Sequence, residues 1–158
     1  EISCSLVGSE MCIRDRAEYL RDHPETNFFH FNVDLAQGPC VIKRLRGCGA
    51  GCEYVAITPE GDIYPCHQFV GNEDYKLGSL YDGTFDKELS GRFAGLNIYT
   101  REECRDCWAR FYCSGGCSAS NLLVNGDIKK PHRVGCELER KRLECAIALR
   151  AIAAGMAE

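Results

Sequence analysis

The sequence predicts a small, irregular α+β fold: a β-hairpin, short helices and long loops, with an amphipathic C-terminal helix. Three observations predict it. The chain has 12 cysteines in 158 residues. A Pro59-Glu60-Gly61-Asp62 turn separates two extended segments, and apolar residues recur at helical spacing from Gly135 onward. The length suits one domain, and 45% apolar residues suffice for a modest core. A net charge of -4 argues against a mainly electrostatic nucleic-acid binder. No apolar run approaches the roughly 18–20 residues of a membrane span. No basic stretch leads into an apolar one, as a secretory signal would require. Neither a nucleic acid nor a membrane is expected as partner.

Residues 1–16 show little periodicity, and Ser5–Arg16 resembles a translated sequencing-adapter remnant. This segment is expected to be non-native, which sets aside Cys4 and Cys12 and leaves ten cysteines. Ala17–Asp22 reads as the end of a helix stopped near Pro24. Phe29–Leu35 alternates apolar and polar residues, a strand signal, and Gln37-Gly38-Pro39 breaks it. A glycine–cysteine cluster follows at Gly47–Cys52. Glu53–Thr58 and Ile63–Cys66 form the hairpin around the Pro59 turn. Pro65 makes the second strand an edge or ends it. Residues 71–83 read as loop and Phe85–Phe93 as a short helix. Thr100 and Glu103 match a capping box, so a helix starting there puts Cys104 and Cys107 on one face. Asn125-Gly126-Asp127 is a turn. Leu138, Cys145, Leu149 and Ile152 then mark the apolar stripe of the last helix.

Three chemistries compete for the cysteines. Disulfides need an oxidising compartment, and Cys48–Cys52 within one tight loop and Cys104–Cys107 one helical turn apart are awkward pairs. Metal binding suits the clustering better. Cys104, Cys107, Cys113 and Cys117 are spaced C-x2-C-x5-C-x3-C, four thiols within fourteen residues. Thiolates select zinc, Cu(I) and iron–sulfur clusters. Zinc ribbons usually use two short C-x2-C knuckles, and here only one exists. The irregular gaps favour a cubane, which is larger than one ion and takes ligands from scattered loops. Glycines beside Cys48, Cys52 and Cys117 let backbone N–H groups approach sulfur.

The full order resembles the SPASM motif of radical-SAM peptide maturases. Cys48 is followed by twelve residues, Gly61, four residues and Cys66; the Cys104–Cys117 run and Cys136 follow. Phe28–Phe31, Gln37–Cys40, Gly47–Tyr54 and Tyr64–Gly71 further resemble the SCIFF maturases, which act on a small six-cysteine peptide. The resemblance implies two [4Fe–4S] clusters with interleaved ligands. Cys48, Cys52, Cys66 and Cys117 would hold the first, and Cys104, Cys107, Cys113 and Cys136 the second. It also implies a parent enzyme that forms thioether cross-links in a cysteine-rich precursor peptide. That enzyme would use a 5′-deoxyadenosyl radical and an external electron donor, in the cytoplasm. The expected organisation is an adapter-derived segment at 1–16, the end of a radical-SAM partial barrel at 17–47, the twin-cluster domain at 48–136 and the C-terminal helix at 137–158.

Cys52 falls outside the consensus positions of the motif; three protein ligands would leave one iron open for a substrate thiolate. Cys40 is an alternative ligand or a buried small hydrophobe, and Cys145 reads as core. His67 reads as an ordinary loop residue. Trp108, Phe111 and Tyr112 would shield the second cluster, and Arg101, Arg105 and Arg110 read as a solvated face. A C-x3-C-x2-C site for S-adenosylmethionine cleavage is absent: Val55 and Ser120 stand where its last cysteine would fall. The chain is therefore expected to be the C-terminal part of a longer enzyme, with a third [4Fe–4S] cluster and S-adenosylmethionine in the missing part. Two rivals remain, a zinc-binding interaction module and a stand-alone ferredoxin-like electron carrier.

Overall fold

The computed structural model describes residues 13–35 and 45–155. Two compact units emerge, Val41–Pro131 on one hand and Glu1–Cys40 with His132–Glu158 on the other. Cys4, Cys12, Cys40 and the Gln37–Pro39 break lie outside the described residues.

The Val41–Pro131 unit is built on the expected hairpin. β1 (Ala56–Ile57) and β2 (Asp62–Tyr64) pair antiparallel, with Ala56 opposite Tyr64 and Ile57 opposite Ile63. The Gly61 N–H donates to the Thr58 carbonyl at 2.9 Å and closes a β-turn with Pro59 at its second position. Gly61 has φ +82°, in the left-handed region. A Cβ there would sit 2.6 Å from the Tyr81 ring. Tyr81 is exposed and can swing aside, but the backbone penalty stays. Gly61→Ala is expected to destabilise by about 1–2 kcal/mol. Chemical denaturation checks it; an unchanged midpoint would refute the turn argument.

The hairpin grows into a four-stranded antiparallel meander, ordered β1-β2-β3-β4. β3 (Gly78–Ser79) pairs with β2, and β4 (Thr84–Phe85) pairs with β3. Residues 71–83 were expected as loop. Each added strand is two residues long, too short for an alternation signal, and its pairing comes from the strand before it. Leu77 carries the link: its N–H donates to the Ile63 carbonyl at 2.7 Å, and its side chain is fully buried. β2 ends at Tyr64, directly before Pro65, as one of the two readings of that proline required.

The Lys87–Ala94 helix follows, N-capped by Asp86, whose side chain accepts from the Leu89 N–H at 2.8 Å. Its Leu89 and Phe93 join Ile63, Tyr64, Cys66, Phe69, Leu77 and Leu96 in the core. Phe69 stacks edge-on against Phe93, with centroids 5.4 Å apart. The capping-box helix at Thr100 does not form. The Thr100 hydroxyl instead accepts from the Asn97 N–H and donates to the Gly95 carbonyl. With that cap occupied upstream, only a 3-10 turn forms at Glu102–Cys104. Two short helices the sequence had not marked follow, Arg110–Cys113 and Ser118–Asn125. Gly126 ends the second in a left-handed cap, matching the expected turn.

In the other unit, residues 13–22 are helical, across the boundary drawn at residue 16, and stop before Pro24. The strand expected at Phe29–Leu35 is absent; Phe29–Phe31 is a 3-10 turn. The Phe31 and Asn32 N–H groups donate locally, to Phe28 and Phe29 carbonyls. Phe28 also packs edge-on against Phe31, so local bonds take what a strand would give to a neighbour. The C-terminal helix spans Arg133–Ala153. Its most buried residues are Leu143 and Ala146, while Leu138, Cys145, Leu149 and Ile152 are half-buried. The Arg142 Nη1 donates to the His30 carbonyl at 2.9 Å.

Candidate metal centre

Two groups of thiols gather in the Val41–Pro131 unit, each around one side chain. The first surrounds Tyr54. The Gly51 N–H donates to both the Tyr54 and the Pro65 carbonyls at 2.9 Å, and the Ser90 hydroxyl donates to the Gly51 carbonyl at 2.7 Å. These bonds hold the Cys48 loop against the end of β2. Cys66 follows at once and caps the His67–Phe69 3-10 turn, whose Phe69 anchors it in the core. Cys117 caps the Ser118–Asn125 helix, which is fixed by Ala119 in the core and by Asn121 Nδ2 donating to the Ile128 carbonyl.

The Tyr54 hydroxyl donates to the Cys48 sulfur at 3.8 Å. Its pKa is pushed up to about 12, first by burial, then by Cys48, Cys66 and Cys117. Three cysteines from separate parts of the chain thus converge on one phenol. The Cys117 thiol lies below its ordinary value. Burial pushes it up, but the Ser120 and Ala119 N–H groups, the Ser120 hydroxyl and the Arg101 charge together outweigh it. Cys52 is exposed and donates its thiol back to the Gly49 carbonyl at 3.3 Å. His67 is exposed, and its neighbour Gln68 lies 4.0 Å from the Cys117 sulfur.

The second group surrounds Arg101. Cys104 is buried; Cys107, Cys113 and the intervening Phe111 and Tyr112 are half-buried, while Trp108 is exposed. The left-handed Ser114-Gly115-Gly116 segment then leads directly into Cys117. Arg101 is 4% exposed, not part of a solvated face as its position in a charged run suggested. Burial lowers its pKa, opposed by the charges of Cys104, Cys113, Asp127 and Cys117. Arg105 does remain exposed, donating to the Tyr99 carbonyl at 2.8 Å. Arg110 is half-buried and donates to the Cys107 carbonyl at 3.3 Å.

Cys136 lies in the first turn of the Arg133–Ala153 helix, half-buried, in the other unit. Cys145 is on the same helix, half-buried rather than in the core as expected, and burial raises its thiol pKa. Among the described residues, no three His, Cys, Asp or Glu side chains are drawn together closely enough for a single metal ion. The donor set of thiols from several loops, helix-start N–H groups on Cys117 and a buried guanidinium suits a sulfur-rich cofactor. Sequence alone assigned neither Tyr54 nor Arg101 a role at the site: Tyr54 entered only as a hairpin residue at the end of the Gly47–Tyr54 stretch, and Arg101 only as part of a charged run.

Residues 48–108 match the family model SPASM, an iron–sulfur cluster-binding domain. This segment is similar to SPASM domains. The matched residues include Cys48, Cys52, Cys66, Cys104 and Cys107; Cys113, Cys117 and Cys136 lie beyond them. An uncharacterized protein of Archaeoglobus fulgidus is 31% identical over 101 residues, covering 61% of this chain and 24% of that protein. The PqqA peptide cyclase of Xanthomonas axonopodis pv. citri is 28% identical over 102 residues, 60% of this chain and 27% of the cyclase. Mycofactocin maturase MftC of Mycobacterium ulcerans is 31% identical over 111 residues, 66% of this chain and 29% of the maturase. The chain thus spans about a quarter of the length of these relatives. Among the described residues, no helix is long and apolar enough to cross a membrane.

Proposed function

We propose that the SPASM domain holds two [4Fe–4S] clusters in the service of a radical-SAM peptide maturase. Cys48, Cys52, Cys66 and Cys117 bind the first, and Cys104, Cys107, Cys113 and Cys136 the second. The parent enzyme installs thioether cross-links in a cysteine-rich precursor peptide. It works in the cytoplasm with an external electron donor. A third [4Fe–4S] cluster and S-adenosylmethionine belong to the radical-SAM part of that parent enzyme. The observation that carries the reading is that Cys48 bonds Tyr54, with Cys66 and Cys117 acting on the same phenol, in and just beyond the segment that matches the SPASM model. The names of the cyclase and the mycofactocin maturase support a peptide substrate. The thioether chemistry rests on the SCIFF-like wording around Cys48 and Cys66.

When bound, such clusters supply one-electron transfer and, at an iron lacking a fourth protein ligand, a site for a thiolate. The chain's own residues hold and tune them. The Ser120 and Ala119 N–H groups favour the thiolate form of Cys117 that ligation needs. Cys52 is the adaptable member of the first set, because its loop is exposed and its only described bond is to Gly49. Phe111 and Tyr112 limit water near Cys113.

Anaerobic purification followed by iron and sulfide analysis tests the reading. About eight irons and eight sulfides per chain are expected, as for two cubanes. A colourless protein carrying stoichiometric zinc would overturn it in favour of an interaction module. Iron at half that level would leave a single cluster and refute the two-cluster assignment.

A further inference from the structure

We propose that Arg101 sets the reduction potential of the bound iron–sulfur site, by donating Nε–H and Nη1–H to sulfur atoms of the group held beside Cys104 and Cys113. The inference rests on the cluster reading above and goes beyond it, since no motif position assigns this arginine.

The side chain is 96% buried, counting its 4% exposure. Its Nη2 donates to the Ser118 hydroxyl at 3.0 Å, but Nε and Nη1 are buried with no hydrogen-bond partner. A guanidinium cannot shed its proton to escape burial, and it needs acceptors in a fixed fork. Asp127 contributes a further charge, while its Oδ1 accepts from the Lys129 N–H at 2.8 Å. Three of the four negative groups acting on Arg101 are sulfur: Cys104, Cys113 and Cys117.

The surroundings keep this position open. Gly115, at φ +86°, faces the arginine, and a Cβ there would meet its Cδ at 3.1 Å and Nε at 3.2 Å. A side chain would fill the space that the guanidinium occupies. Orphaned N–H donors among thiols fit a cofactor whose sulfurs accept them. Positive charge and N–H···S bonds stabilise the more negative, reduced cluster, so they raise its potential.

The test uses the full chain, loaded anaerobically, as wild type, Arg101→Gln and Arg101→Lys. Iron and sulfide are measured first, then the potentials by redox titration followed with electron paramagnetic resonance. Absence of iron from the wild type would overturn the cluster reading itself. With iron present, Arg101→Gln is expected to keep its iron and to reduce at a lower potential. Arg101→Lys, which keeps the charge but loses the fork, should fall between. An iron-loaded Arg101→Gln at the wild-type potential overturns the inference. Where Arg101→Gln fails to load, Arg101→Lys decides alone by the same comparison. Loss of iron from both variants would make Arg101 a folding residue and overturn the inference too.

Discussion

Cys66→Ala is expected to strip about four of about eight irons from the anaerobically purified chain and to leave the rest in place. Cys66 is the most constrained of the Tyr54 thiols. It is buried, follows Pro65 at the end of β2, and is held from behind by the Phe69 turn. No neighbouring cysteine can take its place, because Cys52 lies on an exposed loop and Cys117 is fixed at a helix start. The Cys104 and Cys113 thiols gather around Arg101 instead, so their cluster should survive with its own paramagnetic signal. Iron analysis and electron paramagnetic resonance check both halves. Unchanged iron would remove Cys66 from the ligand set. Loss of all iron with the fold retained would refute the division into two sets.

Phe69→Ala is expected to cost roughly 3–5 kcal/mol, the range for truncating a buried aromatic. The ring is 1% exposed and packs against both Tyr75 and Phe93, with centroids 5.0 and 5.4 Å away. The loss is expected to reach the candidate site. The Phe69 N–H donates to the Cys66 carbonyl at 3.0 Å, so a loosened ring loosens the turn that Cys66 caps. Urea denaturation of the loaded chain measures the cost, and iron release during the transition measures the coupling. Leu123→Ala serves as contrast: at 88% exposure it should change stability by less than about 0.5 kcal/mol. A Phe69→Ala cost as small as that of Leu123→Ala would show that this core does not hold the site.

Much of the candidate site was legible in the chain as written. Cysteine spacing with Gly61 in its place pointed to a SPASM motif before any geometry was known. The hairpin was legible because Pro59 and Gly61 answer to a turn whose bonds span only a few residues. The Lys87–Ala94 and Arg133–Ala153 helices were legible from periodicity of similarly short range. The failures share one cause. Phe29–Leu35 alternates like a strand, yet a strand exists only with a partner, and the described bonds at Phe29–Phe31 are local. Gly78–Ser79 and Thr84–Phe85 lack a signal, yet β2 supplies the ladder of the first and that strand in turn supplies the ladder of the second. Thr100 and Glu103 spell a capping box, but Asn97 and Gly95 claim the threonine first.

The sequence by itself determined the spacing of the cysteines, the hairpin turn and the final helix, because each depends on residue types a few positions apart. Only the tertiary structure decided what surrounds the thiols. Arg101 and Arg105 are alike in sequence, four residues apart in one charged stretch. One is buried among Cys104, Cys113 and Cys117, and the other reaches solvent. Tyr54 could have been any exposed strand residue until Cys66 and Cys117 were folded against it. Burial and electrostatic environment are set by groups distant along the chain, and no short window of sequence contains them.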